Sequence, residues 1–272
     1  MTALVHFLPM LLLLMAIGAV AGVVGGLLGV GGGIVLVPAF FYAFQHLGYG
    51  GPQLMQVCVA TSLATIVVTS LKSVSGHSRK GAVDWAILKS WGPFLVVGAA
   101  AGVLVATHLA SATLQGVFGV LAGLAGLYMA FGRDSWRLGA TMPGQPEAGV
   151  FAGAVGFLSA MMGIGGGTFG VPLMTLYSQP IHRAVGTASG FGMLIAVPSV
   201  IGFLMMHVAE APPYTLGAVS LPAFAVVIGT TQITTPYGVH LAHVTNPRPL
   251  KRIFAAFLAL VAFNMLRKAT GW

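Results

Sequence analysis

Apolar residues form long continuous runs along the 272-residue chain, separated by charged residues and by clusters of glycine and proline. Continuous apolar runs are typical of helices that lie in lipid or are buried on every side. A helix needs about 20 such residues to cross the hydrocarbon of a membrane, so the second and seventh runs are too short to cross alone. The ten runs cover residues 4–28, 34–45, 53–75, 86–109, 112–132, 148–163, 168–178, 183–206, 214–242 and 249–268.

A glycine-rich stretch precedes both short runs. Gly29–Pro38 reads GVGGGIVLVP and Gly163–Pro172 reads GIGGGTFGVP. A repeat of this kind predicts the plan of the fold: two five-segment transmembrane halves at 1–132 and 148–272, joined by a cytoplasmic linker at 133–147.

Three consecutive glycines break a helix, because each costs roughly 1 kcal/mol relative to alanine in a helix interior. Each short run should therefore form a glycine-broken hairpin with the run before it, with its tip at membrane depth. Irregular backbone is tolerated there only against protein or a water-filled cavity. The pattern predicts such a cavity.

Composition supports a membrane protein. Hydrophobic residues make up 57% of the chain and charged residues 6%, whereas soluble domains carry about a quarter charged residues. The runs are too long for the alternating strands of a β-barrel, which favours an all-α polytopic fold of eight to ten hydrophobic segments. Cys58 is the sole cysteine, so neither a disulfide nor a thiolate metal site is expected.

The basic residues predict the topology. The net charge of +8 lies in short connections between runs, which indicates a cytoplasmic bias rather than nucleic-acid binding. The loop around Glu210 lacks basic residues and is placed outside. Its counterpart at Arg79 is placed inside, which predicts an inverted-topology repeat; Arg267 and Lys268 disagree, since they would lie outside. The basic residues placed inside are Lys72, Arg79, Lys80, Lys89, Arg133, Arg137, Arg183, Arg248, Lys251 and Arg252.

Two helices that start at the membrane midplane would offer free N–H groups and positive dipole ends to an anion. The alternative is that the glycines only allow close helix packing, and that nearby hydroxyls bond their own helix carbonyls. The candidate substrate-binding residues are Gly31, Gly32, Gly33, Gly165, Gly166, Gly167, Thr61, Ser62, Thr187, Ser189 and Gln232.

Three basic side chains are candidates for a charge or proton role. Lys72 either neutralises an anion or extends to the membrane surface. His240 and His243 lie one helical turn apart and either relay protons or occupy the interface. No Asp or Glu falls inside a predicted span, so a carboxylate sodium site is not supported. Paired carboxylates, a nucleophile–base pair and a metal cluster are also missing, so we predict no catalytic residue, metal, cofactor or enzymatic activity.

The duplicated glycine motif, the Ala60-Thr61-Ser62 element and the loop Gly76–Trp85 resemble the TauE/SafE sulfite exporter family of bacterial permeases. The likeness spans nearly the whole chain, although Ala188 stands where the first half has Ser62. It implies a multi-pass protein of the bacterial inner membrane that moves sulfite or sulfonates such as sulfoacetate.

Several alternatives stay open. They are a permease for another small organic anion, a cation or neutral-solute permease, and a membrane partner protein that transports nothing. The expected partners are a small anionic substrate and the lipid bilayer, with no nucleic acid. The sequence leaves transport direction, coupling ion and oligomeric state open, a homodimer included.

Overall fold

The computed structural model describes residues 2–132, 136–244 and 247–270, with side chains from 11–132, 136–244 and 255–270. Arg133 and the side chains of Arg248, Lys251 and Arg252, which entered the topology prediction, lie outside these residues. In this part of the chain the fold is helical, with one small hairpin. The helices are α1 (Thr2–Leu28), α2 (Gly33–His46), α3 (Leu54–Arg79), α4 (Trp85–His108), α5 (Ser111–Phe131), α6 (Glu147–Met162), α7 (Gly167–Leu176), α8 (Ile181–Leu204), α9 (Leu221–Val244) and α10 (Pro247–Ala269).

The ten predicted segments correspond to these ten helices, with two differences. Helix α9 begins at Leu221, because the residues before it form strands β1 (Thr215–Leu216) and β2 (Val219–Ser220), which pair antiparallel. Gly217 supplies the positive φ of 58° that the tight connection needs. Helix α3 continues to Arg79, four residues beyond the predicted end of its run.

Five of the described helices are long and apolar enough to cross a membrane: α1, α3, α4, α5 and α8. Helices α2, α6 and α7 are apolar but shorter. The chain is therefore a multi-pass membrane protein of all-α fold.

Each glycine repeat ends one helix and starts the next. Gly29 and Gly163 have φ of 67° and 70°, and Gly32 and Gly166 have φ of 81° and 74°. The same two positions of each repeat thus adopt the left-handed conformation that favours glycine. After each break the chain reverses its direction, so α1 with α2 and α6 with α7 form the predicted broken hairpins.

Helices from the two halves interlock. Helix α1 packs parallel to α9, with Gly18 against Thr230 and Gly22 against Thr234. Helix α4 packs parallel to α6 in the same way, with the backbone of Gly98 against that of Gly153. Because α1 and α6 open the two halves and α4 and α9 are their fourth helices, the same contact is made twice.

The two remaining large contacts join equivalent helices. Helix α3 packs against α8, and α5 packs against α10. The α5–α10 pair is antiparallel, because Gly119 lies beside Leu266 and Gly126 beside Leu258. The α3–α8 pair is also antiparallel, because the start of α3 lies near β2, which follows α8, while the start of α8 lies near the end of α3.

Charged side chains lie at the two ends of the bundle. At one end Arg183 pairs with Asp84 at 3.3 Å, next to the basic end of α3. At the other end Gly51 lies against Glu210, and Lys268 contacts Gln45 and lies over the rings of Phe41 and Tyr42. Lys268 and Glu210 therefore share one end of the molecule, opposite to Asp84.

Candidate functional site at the glycine junction

The two glycine breaks meet in the buried core. The amide nitrogen of Gly165 donates to the carbonyl oxygen of Val30 at 3.0 Å. A side chain on Gly33 would strike the carbonyl oxygen of Gly163, and one on Gly167 would strike that of Gly29. Each of the helices α2 and α7 thus starts beside the break of the opposite half. The two breaks touch directly, so the predicted cavity is not present between Val30 and Gly165.

Neither helix start has a side-chain cap. The residue before α2 is Gly32 and the residue before α7 is Gly166, both in the left-handed conformation. The first N–H groups of an α-helix have no partner within the helix, and the dipole makes this end positive. Two uncapped helix starts in one buried junction form a region suited to an anion.

Helix α3 holds both breaks in place. Thr69 donates from Oγ1 to the carbonyl oxygen of Gly31 at 3.2 Å, and Ser62 donates from Oγ to that of Gly163 at 2.8 Å. Of the predicted hydroxyls, Ser62 thus contacts a break directly. Ser189 donates to its own helix at Gly186.

Thr61 and Thr187 have a different location. Thr61 Oγ1 accepts from the amide nitrogen of Ser220 at 3.0 Å, and Thr187 Oγ1 accepts from that of Asp84 at 2.8 Å. Ser220 and Asp84 directly precede α9 and α4, so each threonine fixes the start of a helix from the opposite half. The structure places these two hydroxyls at the helix starts, where they hold the scaffold.

Two hydroxyls that the sequence did not single out lie at the junction. Ser70 is 1% exposed and its Oγ lies beside Gly31 and Gly192. Thr168, the second residue of α7, is 8% exposed. Neither hydroxyl has a hydrogen-bond partner, although buried polar groups are paired as a rule. Each hydroxyl therefore has an unused donor hydrogen.

The remaining candidates lie away from the junction or at its periphery. Lys72 and His240 are exposed. Gln232 is half-buried, and its Nε2 atom is buried without a partner. His243 approaches His77, which is a buried residue of α3 and does not lie in the predicted loop. In the described ranges, no three His, Cys, Asp or Glu side chains are grouped so as to hold a metal ion.

Comparison with known proteins identifies the family. The sulfite exporter TauE/SafE profile matches residues 14–265. A probable membrane transporter protein of Haemophilus influenzae is 30% identical over 261 residues, which cover 95% of this chain and 98% of the relative. One of Methanocaldococcus jannaschii is 27% identical over 263 residues, covering 96% and 97%. No solved structure matches the chain.

The match to the family profile covers nearly the whole described bundle, including both glycine breaks and the helices that hold them. The relatives align over almost their full length and carry the description of transporters. The chain therefore belongs to the TauE/SafE sulfite exporter family of membrane transporters.

Proposed function

We propose that this transporter moves a small sulfur-containing oxyanion, sulfite or an organosulfonate such as sulfoacetate, across the bacterial inner membrane. The anion binds at the glycine junction, where the starts of α2 and α7 and the hydroxyls of Ser70 and Thr168 supply donors. The resemblance of the chain to a sulfite exporter family supports the sulfur oxyanion.

One observation carries the choice of site. Ser70 and Thr168 are buried hydroxyls without partners, and leaving such a group unpaired costs about 1–3 kcal/mol. They lie at the junction of two uncapped helix starts. An oxyanion accepts hydrogen bonds at every oxygen, so it would satisfy these donors together without any basic side chain.

Transport requires the junction to open alternately to each side. The antiparallel packing of α3 with α8 and of α5 with α10 supports an inverted repeat, because a two-fold axis in the membrane plane relates equivalent helices in opposite orientations. The hydrogen bond from Gly165 to Val30 closes the space between the breaks. In the proposed cycle the halves rock about the junction and this contact opens for the anion.

The experiment measures uptake of radiolabelled sulfite by proteoliposomes, with sulfoacetate, thiosulfate and sulfate as competitors. Ser70→Ala and Thr168→Val each remove one unpartnered donor. An anion hydrogen bond contributes about 1.5–3 kcal/mol. Each variant should therefore raise the sulfite concentration at half-maximal uptake at least about tenfold. Ser75→Ala is the matched control, because Ser75 lies on the same helix as Ser70 but is exposed.

The outcomes separate the class of substrate from the site. If the wild-type protein takes up neither labelled sulfite nor labelled sulfoacetate, the proposed substrate is contradicted. Uptake of a labelled carboxylate by the same proteoliposomes would then support a permease for another small organic anion. If Ser70→Ala and Thr168→Val both take up sulfite with the half-saturating concentration of the wild type, the site lies away from these hydroxyls.

A further inference from the structure

Three imidazoles from three helices meet at the end of the bundle that carries Arg79. The Nδ1 atom of His77, on α3, lies 3.1 Å from the Nε2 atom of His243, on α9. The ring of His182, at the start of α8, stacks on that of His243 with 5.7 Å between centroids. His77 is fully buried, whereas His243 is half-buried and His182 is exposed. The cluster thus leads from the surface into the core.

The hydrogen bonds determine where the protons lie when the pair is neutral. His77 Nε2 lies 2.9 Å from the carbonyl oxygen of Gly26, which can only accept, so Nε2 carries a hydrogen. In neutral His77 the Nδ1 atom is then an acceptor, and His243 must donate to it from Nε2. The geometry fixes both tautomers.

The same bonds limit how many protons the pair can take up. With one added proton, either His77 donates from both nitrogens to a His243 that carries its hydrogen on Nδ1, or His243 is charged and donates to neutral His77. With two added protons both facing nitrogens carry hydrogens. The bond is then lost and two like charges face each other, so the second proton drives the rings apart.

We propose that the His77–His243 pair is a proton-binding site that controls opening of the glycine junction from this end. His77 joins α3 to Gly26 of α1, three residues before the break at Gly29. Separation of His77 from His243 would therefore loosen α9 from α3 beside the end of α1 that leads into the junction, although α1 and α9 still touch at Gly26. The inference rests on the proposed transport function for its consequence, but not for the proton site itself.

The second half carries no histidine at the position equivalent to His77. Counting from the equivalent residues Thr61 and Thr187, the position that corresponds to His77 in the second half is Phe203. Phe203 is fully buried and cannot titrate. The two halves thus differ at the proton-binding position. This difference gives the two sides of the membrane different responses to pH.

The charged surroundings favour release of the second proton. Among the described residues, Lys80, His182 and His240 lie within electrostatic range of the pair. All of them are basic, and Gly26 on α1 contributes only its carbonyl oxygen. No carboxylate is among these neighbours, so the pair has no fixed anion to hold two charges.

A first experiment tests proton binding without transport. The full chain, labelled with ¹⁵N-histidine in lipid nanodiscs, is titrated by NMR, and the signals are assigned from His77→Gln and His243→Gln. We expect His77 to be protonated on Nε2 at high pH, and the His77 titration to change when His243 is replaced. His108→Gln is the control, because His108 is exposed and is not among the groups within electrostatic range of the pair. A His77 signal that titrates like a free imidazole and ignores His243→Gln overturns the proton site.

A second experiment tests the consequence for transport. Sulfoacetate is the probe, because its charge stays nearly constant between about pH 5 and pH 8, unlike that of sulfite. We expect its flux in the wild type to change at least about fivefold at the acidic end of this range, because two like charges that face each other bind the second proton only below the usual imidazole range. The change should be less than about twofold in His77→Gln and His243→Gln. An unchanged pH response in both variants contradicts control of the junction. A coupled NMR titration without any anion flux would instead sustain the proton site and contradict the proposed function.

Discussion

The amide of Gly165 in the second half donates to the carbonyl oxygen of Val30 in the first half at 3.0 Å. This bond joins the two glycine repeats where each has interrupted a helix. The two breaks therefore form a single junction to which both halves contribute. Equivalent substitutions in the two repeats can be compared directly.

The central glycines of the two repeats should respond differently to alanine. Both have positive φ, which costs alanine about 1–2 kcal/mol. A Cβ on Gly32 would lie 2.5 Å from the backbone oxygen of Ala21, whereas one on Gly166 would lie 2.6 Å from the side-chain end of Ile195, which can rotate. We expect Gly32→Ala to be unstable and Gly166→Ala to fold with at least about tenfold weaker anion binding. Thermal unfolding and binding of labelled sulfite check both; a stable Gly166→Ala with wild-type binding would make that glycine a packing residue.

Thr61 and Thr187 should matter for stability rather than for affinity. Thr61→Val and Thr187→Val would leave the amides of Ser220 and Asp84 without their acceptors. An unpaired buried polar group costs about 1–3 kcal/mol, so the unfolding temperature should fall in both variants. The anion concentration at half-saturation, measured on the folded fraction, should stay within about twofold of the wild-type value. A large loss of affinity at wild-type stability would return these threonines to the substrate site.

Close packing of α4 on α6 should tolerate no added methyl group. A Cβ on Gly98 would strike the carbonyl oxygen of Gly153, whereas one on the helical Gly229 would meet nothing within 4 Å. We expect Gly98→Ala to lower the unfolding temperature in detergent. Gly229→Ala should raise it slightly, because alanine is favoured over glycine in helices by about 0.5–1 kcal/mol. Equal behaviour of the two variants would show that α4 and α6 are not in contact.

The membrane orientation can be tested with single cysteines on a Cys58→Ala background. Lys80, Glu210 and Thr270 are exposed, and the last two lie at the end of the bundle opposite to Lys80. We expect Lys80→Cys to react with a membrane-impermeant maleimide from the cytoplasmic side, and Glu210→Cys and Thr270→Cys from the outer side. Labelling of Thr270→Cys from the same side as Lys80→Cys would contradict an inverted repeat.

The sequence predicted the helices well because hydropathy records which residues can meet lipid. The breaks before Gly33 and Gly167 were also predictable, since consecutive glycines oppose helix formation in any surroundings. The start of α9 was not, because no charged residue separates β1 and β2 from α9 in the sequence. The positive φ at Gly217 and the pairing of Thr215 with Ser220 and of Leu216 with Val219 distinguish the hairpin from the helix.

The site residues were harder to predict. A hydroxyl on a helix usually bonds a carbonyl of its own preceding turn, so the sequence does not show that Ser70 lacks a partner and that Ser189 has one. That difference arises from packing against Gly31 and Gly192. His77 was assigned to a loop because polar residues surround it, yet α3 continues through it and buries it.

The interlocking of the halves has a consequence for biogenesis. Helix α1 finds its main partner in α9, and seven other helices are synthesised between them. Until α9 has been inserted, the face of α1 that carries Gly18, Gly22 and Gly26 must remain in the bilayer without its final neighbour. The hydroxyl of Thr61 likewise cannot reach Ser220 until the second half has inserted. The ribosome thus completes nearly the whole polypeptide before the first helix can reach its final place, and a chain cut after α5 would persist only if the missing half were supplied alongside it.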